Sequence, residues 1–172
     1  VLNHLDENKI IRLTKTLVKY WKSKKNIFIC GNGGSAANAN HICNDLIYGI
    51  SKKNKKGLNI ESLCSNNSVM TCLANDTGYE NIFKYQLKSK AKKGDLLIVL
   101  SGSGNSKNVL EALIYANKNQ INTFSILGYD GGKCKKISKN FIHINVNDMQ
   151  ISEDMQLVIF HMCMKILSKI KL

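Results

Sequence analysis

A three-layer α/β/α sandwich on a five-stranded parallel sheet is the fold this sequence predicts, and three observations carry it. Short apolar runs alternate with longer amphipathic segments along the whole chain. Two of the runs, Ile27–Cys30 and Leu96–Leu100, are apolar at every position, as strands buried on both faces must be. Each passes directly into a Gly-rich turn and then a helical pattern, which is the βα unit of a parallel sheet.

The elements follow in order. Over residues 7–24, Ile10, Ile11, Leu13, Leu17, Val18 and Trp21 recur near helical spacing and predict an amphipathic helix. A strand at 27–30 breaks into Gly31-Asn32-Gly33-Gly34, and a helix fills 35–48. Residues 50–57 read as a polar loop, 58–63 as a short strand, 66–74 as a helical turn or two, and 79–91 as a further helix. Lys93-Gly94-Asp95 turns into the strand 96–100, and Ser101–Ser106 is a second small-residue loop before a helix over 106–118. A strand at 122–127 ends in Gly128-Tyr129-Asp130-Gly131-Gly132. A short helix at 133–138, a strand at 141–146 and a long helix at 150–170 complete the pattern. With no repeat and no low-complexity linker, residues 1–172 read as one domain with room for a substantial core. The chain starts at Val, not Met, and an N-terminal piece is expected to be missing.

Composition narrows the function. The chain is 44% apolar, yet no apolar run has the length of a membrane span and the first residues do not form a signal peptide. The six cysteines form no Cys-x-x-Cys pair and lie mostly in apolar runs; they read as small core residues of a cytoplasmic protein, not as a disulfide framework. The formal charge of +13 comes from lysines spread along the chain, with a single arginine, Arg12. Bidentate readers of nucleic acid are therefore nearly absent. The lysines read as a solvated surface whose field draws anionic sugar phosphates.

The chemistry concentrates in two loops and two helices. Asn32, Gly33, Gly34 and Ser35 bring a strand into a helix N-terminus, where close backbone approach and unpaired N–H groups favour an anion. Ser101, Gly102, Ser103 and Ser106 repeat the arrangement after the second buried strand. In a parallel sheet both loops emerge at the C-terminal edge and share one pocket. Neither nucleotide fingerprint, Gly-x-Gly-x-x-Gly or Gly-x-x-x-x-Gly-Lys-Ser/Thr, is present, so the expected ligand is a phosphate monoester with no nucleotide cofactor. His41 and Asp45, four residues apart, share a helix face, and Glu153 and His161, eight apart, share another. A single His on an apolar helix commonly reads as a packed core residue; with acidic company on both helices, the four are also candidates for a divalent-metal site or for a set of acid/base groups without a metal.

In order along the chain stand Cys30-Gly31-Asn32-Gly33-Gly34-Ser35-Ala36-Ala37, His41-x-x-x-Asp45-Leu46, Ala74-Asn75-Asp76, Ser101-Gly102-Ser103-Gly104-Asn105-Ser106, Gly128-Tyr129-Asp130-Gly131-Gly132-Lys133 and the Glu153…His161 helix. With these motifs the chain resembles the phosphoheptose isomerases (sedoheptulose 7-phosphate isomerases) of the sugar-isomerase (SIS) superfamily, over about residues 7–170. The resemblance implies the flavodoxin-like SIS fold. It also implies aldose–ketose isomerisation of sedoheptulose 7-phosphate to D-glycero-D-manno-heptose 7-phosphate through an enediol, for lipopolysaccharide or capsule. It carries the base to Asp45, the acid to His161, and a zinc ion, one per subunit, to His41, Asp45, Glu153 and His161. Substrate contacts carry over to Asn32, Gly33, Gly34, Ser35, Asp76, Ser101, Gly102, Ser103, Ser106 and Glu153. The resemblance further implies a homotetramer with active sites at subunit interfaces.

Departures from the family pattern point to a divergent branch. Asp45 stands where the family has Glu, Glu153 where Gln is common, and Gly102 where Thr is common, and the family's extra N-terminal helix is expected to be either absent or cut from this sequence. Two alternatives stay open at this level: an isomerase of another phosphosugar, and a non-catalytic phosphosugar-binding regulator that associates with a replication initiator, whose loop Ala36–His41 resembles.

Overall fold

Five strands pair in the order β2-β1-β3-β4-β5, every neighbouring pair parallel, in the computed structural model, which describes residues 5–54 and 56–170. The strands are β1 (Ile27–Cys30), β2 (Ile60–Ser62), β3 (Leu96–Ser101), β4 (Asn122–Leu127) and β5 (Asn140–His143). The helices are α1 (Glu7–Ser23), α2 (Gly34–Asn44), α3 (Ser51–Asn54), α4 (Asn67–Thr77), α5 (Ile82–Lys90), α6 (Lys107–Lys118), α7 (Gly132–Ile137) and α8 (Met149–Leu167). The predicted five-stranded parallel sheet with helices is the observed one. β1 and β3 are buried at every position, which explains their unbroken apolar runs.

Parallel strands need right-handed crossovers, so steps in opposite directions place their helices on opposite faces. From β1 the chain steps one way through α2 to β2, then returns past β1 through α4 and α5 to β3. α1 and α2 pack on α8, while α5 packs on α6 and α6 on α7. The reversal leaves a crevice between the C-terminal ends of β1 and β3, where open α/β sheets bind ligands. Both glycine loops leave the sheet there.

Local chemistry sets the helix bounds. Asp6 caps α1 by accepting from the Asn8 and Lys9 N–H groups at 3.0 and 3.4 Å, and Lys24 ends it in the left-handed region at φ 54°. Its stripe of Ile10, Leu13, Leu17, Tyr20 and Trp21 is buried. At the far edge of the sheet, buried Asp95 accepts from the Asn26 and Lys92 N–H groups at 3.2 and 2.9 Å and ties the start of β1 to the turn before β3.

The structure differs from the sequence reading at one functional place. The predicted helix 35–48 is α-helical only to Asn44; Asp45–Gly49 is a π-helical turn. The Ile50 N–H bonds to the Asp45 carbonyl, which frees the Leu46 carbonyl for the Leu58 N–H at 2.9 Å. Gly57 makes this junction possible, because a Cβ there would overlap the Ile47 carbonyl. The predicted loop 50–57 therefore opens with a short helix, α3, and the strands at 58–63 and 141–146 shorten to 60–62 and 140–143. Of the six cysteines, Cys72 is exposed and the other five are buried. Among the described residues no helix is long and apolar enough to cross a membrane. The single-domain reading at residues 1–4, 55 and 171–172 falls outside the described residues.

Candidate active site

Asn32, Ser35, Ser101, Ser103, Ser106 and Glu153 line one cleft of about 80 Å³ between the ends of β1 and β3, with Gly102 in its wall. A pocket for a whole drug-sized ligand occupies roughly 300–1,000 Å³, so this cleft has the size for one small polar group. The second loop is held open by its own bonds. The Ser101 hydroxyl accepts from the Gly104 N–H at 3.0 Å, and the Gly104 carbonyl accepts from the Cys134 N–H at 2.9 Å. Gly104 has φ +65° and lies against the Gly131 carbonyl, so no other residue fits. Ser106 is the N-cap of α6, yet its hydroxyl makes no cap bond. The serine hydroxyls therefore face the cleft beside the start of α6, where the Val109 N–H is already taken by the Asn108 side chain at 2.9 Å.

The first loop is arranged differently. Glu153 Oε1 accepts from the Ser35 N–H at 2.9 Å and the Ser35 hydroxyl at 3.3 Å. A carboxylate of the chain itself thus stands at the N-terminus of α2, the end read from sequence as an anion cradle. Its second oxygen lies against Gly34, where a Cβ would overlap it. Asn32 does not point freely into the cleft. It exchanges two hydrogen bonds with Asn108, at 2.9 and 2.8 Å, and its carbonyl oxygen accepts from the Tyr79 hydroxyl at 3.0 Å. Asn108, 1% exposed, joins the two loops and was missed by the sequence reading. Its signal is a polar residue in the buried stripe of α6, beside Val109, Ala112 and Leu113.

A second cluster forms where α8 crosses the end of α2. His41 Nε2, His161 Nε2 and Asp45 Oδ2 make a triangle with sides of 3.3, 3.4 and 3.3 Å. The imidazole side chains are 48% and 47% exposed and the carboxylate 19%, so the triangle has an open side. The edge of a tetrahedron with zinc–ligand bonds of about 2.05 Å is about 3.3–3.4 Å. The donor set, His₂ with one carboxylate, is that of an open zinc site. These three residues fit a divalent ion. Glu153, expected as a fourth ligand, is not in this group; it is engaged on α2, two turns of α8 and about 12 Å of rise from His161. Asp76 lies on exposed α4, where it accepts from the Asn75 amide at 2.8 Å, and does not line the cleft.

The thiols near the loops are chemically quiet. Cys64 donates to the Gly31 carbonyl at 3.3 Å, and burial raises its pKa. Burial likewise pushes Cys43, on α2, up to about 12. Neither is a thiolate near neutrality.

Comparison with known proteins agrees with this architecture. Residues 2–128 match the SIS domain family. The phosphoheptose isomerase of Helicobacter pylori (strain Shi470) is 39% identical over 145 residues, covering 84% of this chain and 75% of the relative. That of a Nitratiruptor species is 35% identical over 179 residues, covering 94% and 95%. The chain belongs to the phosphoheptose isomerase family. The family fold is the same in the solved phosphoheptose isomerase of Neisseria gonorrhoeae, with a TM-score of 0.87 at 23% identity over 95% of this chain and 86% of that one. Within this member of the family, Met149 fills the space beside Gly102 that a larger residue there would need.

Proposed function

We propose that this phosphoheptose isomerase family member interconverts sedoheptulose 7-phosphate and D-glycero-D-manno-heptose 7-phosphate, a precursor of lipopolysaccharide or capsule heptose. One observation carries the reading: an anion-sized cleft of serines at the start of α6 is closed on one side by Ser35 of α2 and Glu153 of α8, the two helices that also bring together a His–Asp–His triangle. The phosphate sits in the cleft against Ser101, Ser103, Ser106 and the start of α6. The carbonyl end reaches the triangle. From carbonyl carbon to phosphorus an extended seven-carbon sugar spans about 9–10 Å, the same order as the rise between Glu153 and His161.

The chemistry is a proton shift. Asp45 takes a proton from C1 of the open-chain ketose while the C2 carbonyl oxygen gains one, giving the enediol. Asp45 returns its proton to C2, the O1 hydroxyl loses its own, and the aldehyde forms at C1. Asp45 Oδ1 meets the Asn44 amide only weakly, at 3.4 Å, and serves as the base. His41, Asp45 and His161 would hold a divalent ion, which when bound would supply a Lewis acid for the substrate's carbonyl oxygen. His161 Nε2 either lends its lone pair to that ion or donates a proton to the carbonyl oxygen; one nitrogen cannot do both at once.

Isomer formation from sedoheptulose 7-phosphate, followed by NMR with and without chelation, tests the reading. Turnover lost on chelation and restored by zinc assigns His161 to the ion, whereas turnover that survives chelation assigns it to proton transfer. His161→Ala removes turnover in either case. A folded protein that turns over no sedoheptulose 7-phosphate under any of these conditions refutes the proposal. The homotetramer belongs to the same reading. Ile47 and Tyr48 beside Asp45, and Met162 beside His161, are exposed apolar groups at the triangle's margin, which a partner subunit would cover. Light scattering of the purified protein reads the mass. Its cytoplasmic placement fits six free thiols.

A further inference from the structure

We propose that buried Gln156 and half-buried Asn38 form a polar clasp that sets the register of α8 against α2 and so brings His161 to His41 and Asp45; they are positioning residues, not catalytic ones. The metal-binding consequence rests on the reading above, whereas the register itself does not.

Gln156 is 1% exposed on α8, and both ends of its amide are bonded across the interface. Its Nε2 donates to the Ser35 hydroxyl at 3.0 Å, and its Oε1 accepts from Asn38 Nδ2 at 3.0 Å. Asn38 Nδ2 also donates to the Glu153 carbonyl at 2.9 Å. Every bond joins α2 to α8. At the first turn of α2 the Glu153 carboxylate on Ser35 also ties the two helices, but its side chain is long and flexible; further along, α2 buries Ala39, Ile42 and Cys43, whose side chains make no directional bond to fix how far one helix slides along the other. A buried amide does, because any shift strands its donors and acceptors out of water. The triangle depends on that register: His41 and Asp45 come from α2 and the turn that continues it, His161 from α8. His41 is three residues beyond Asn38, and His161 five beyond Gln156. A constellation of this kind must be held within about 0.5 Å.

The test uses Gln156→Met, which keeps length and helix propensity but removes the amide, Gln156→Glu, which keeps an acceptor for Asn38, and Asn38→Ala, which favours the helix. Two quantities are read on the intact chain. The first is the pattern of imidazole ¹H–¹⁵N resonances in metal-free protein. The second is Co²⁺ affinity by competition and visible absorption. In Gln156→Met and Asn38→Ala the His41 and His161 signals shift while that of His143 stays in place, and Co²⁺ affinity falls about 10–100-fold. Gln156→Glu keeps the acceptor for Asn38 but turns a carboxylate oxygen onto the Ser35 hydroxyl, whose proton goes to Glu153, and so recovers none of the loss; the double variant of Gln156→Met with Asn38→Ala loses no more than the worse single one. Unmoved His41 and His161 signals in a folded Asn38→Ala protein overturn the proposal, whether or not Gln156→Met folds. Shifted imidazoles in a chain whose wild type takes up no Co²⁺ support the clasp and refute the metal reading instead.

Discussion

Asp45 shows why one methylene matters. Its Oδ2 already stands 3.4 and 3.3 Å from the two imidazole nitrogens. Asp45→Glu would add about 1.5 Å of side chain and drive the carboxylate into the imidazoles or past them. We expect kcat/KM for sedoheptulose 7-phosphate to fall about 10–100-fold; a gain in the NMR assay would show that the triangle is wider in solution. Cys72 is a second residue-level case. It is the exposed cysteine, and the facing Asp76 carboxylate, 3.5 Å from its sulfur, raises its pKa. Ellman's reagent should titrate one thiol in the native protein and six in denaturant. Asp76→Asn removes the cause of the raised pKa, increases the thiolate fraction near pH 8 and speeds that one reaction. An unchanged rate would show that the carboxylate does not face the thiol.

At the scale of elements, the junction of α2 with β2 is the weakest point in the sequence reading and the most informative one in the structure. The 35–48 pattern reads as one helix because Ile42 and Leu46 keep helical spacing, and periodicity cannot separate an α from a π turn when the spacing changes by one residue. What decides the π turn is the Leu46 carbonyl bonding Leu58 at the entry to β2, a contact between residues twelve apart. Gly57→Ala places a methyl against the Ile47 carbonyl. The cost should be about 1–3 kcal/mol, read as a lower Tm, and a melt identical to wild type would mean the strand entry can move aside. Because Asp45 begins this turn, the same variant should also weaken Co²⁺ binding.

The whole molecule carries five of its six cysteines as neutral core groups. Burial raises the pKa of Cys43 and Cys134 to about 12 and of Cys163 to about 11, against an ordinary value of 9.0, and raises Cys30 as well. A group whose folded pKa lies above its unfolded one stabilises fully below the unfolded pKa. Above it the unfolded chain releases a proton that the folded chain keeps, so stability falls as pH rises. Thermal melts should therefore lose Tm from about pH 9 upward, and Cys134→Ala with Cys163→Ala should flatten that slope even where they lower Tm at pH 7. An unaltered slope would assign the alkaline loss to other groups.

By itself the sequence determined the sheet, its five strands and the two loops at its crevice, because buried parallel strands require unbroken apolar runs and small-residue turns, both of which are local patterns. It also put His41 and Asp45 on one helix face, since helix spacing marks which residues share a face; that His161 stands beside them is a contact between α8 and the end of α2, which no spacing shows. Only the tertiary structure decided what the first loop holds. Glu153 and His161 share a face of α8, and spacing alone makes them partners; packing instead turns Glu153 onto the α2 N-terminus, where N–H groups already wait for a negative charge. The same holds for Asn108, Asn38 and Gln156, which look like ordinary polar residues in the chain. Each bonds a group at least 70 residues away. A hydrogen bond across two elements leaves no period in a sequence, because its partner is chosen by the packing of the whole fold.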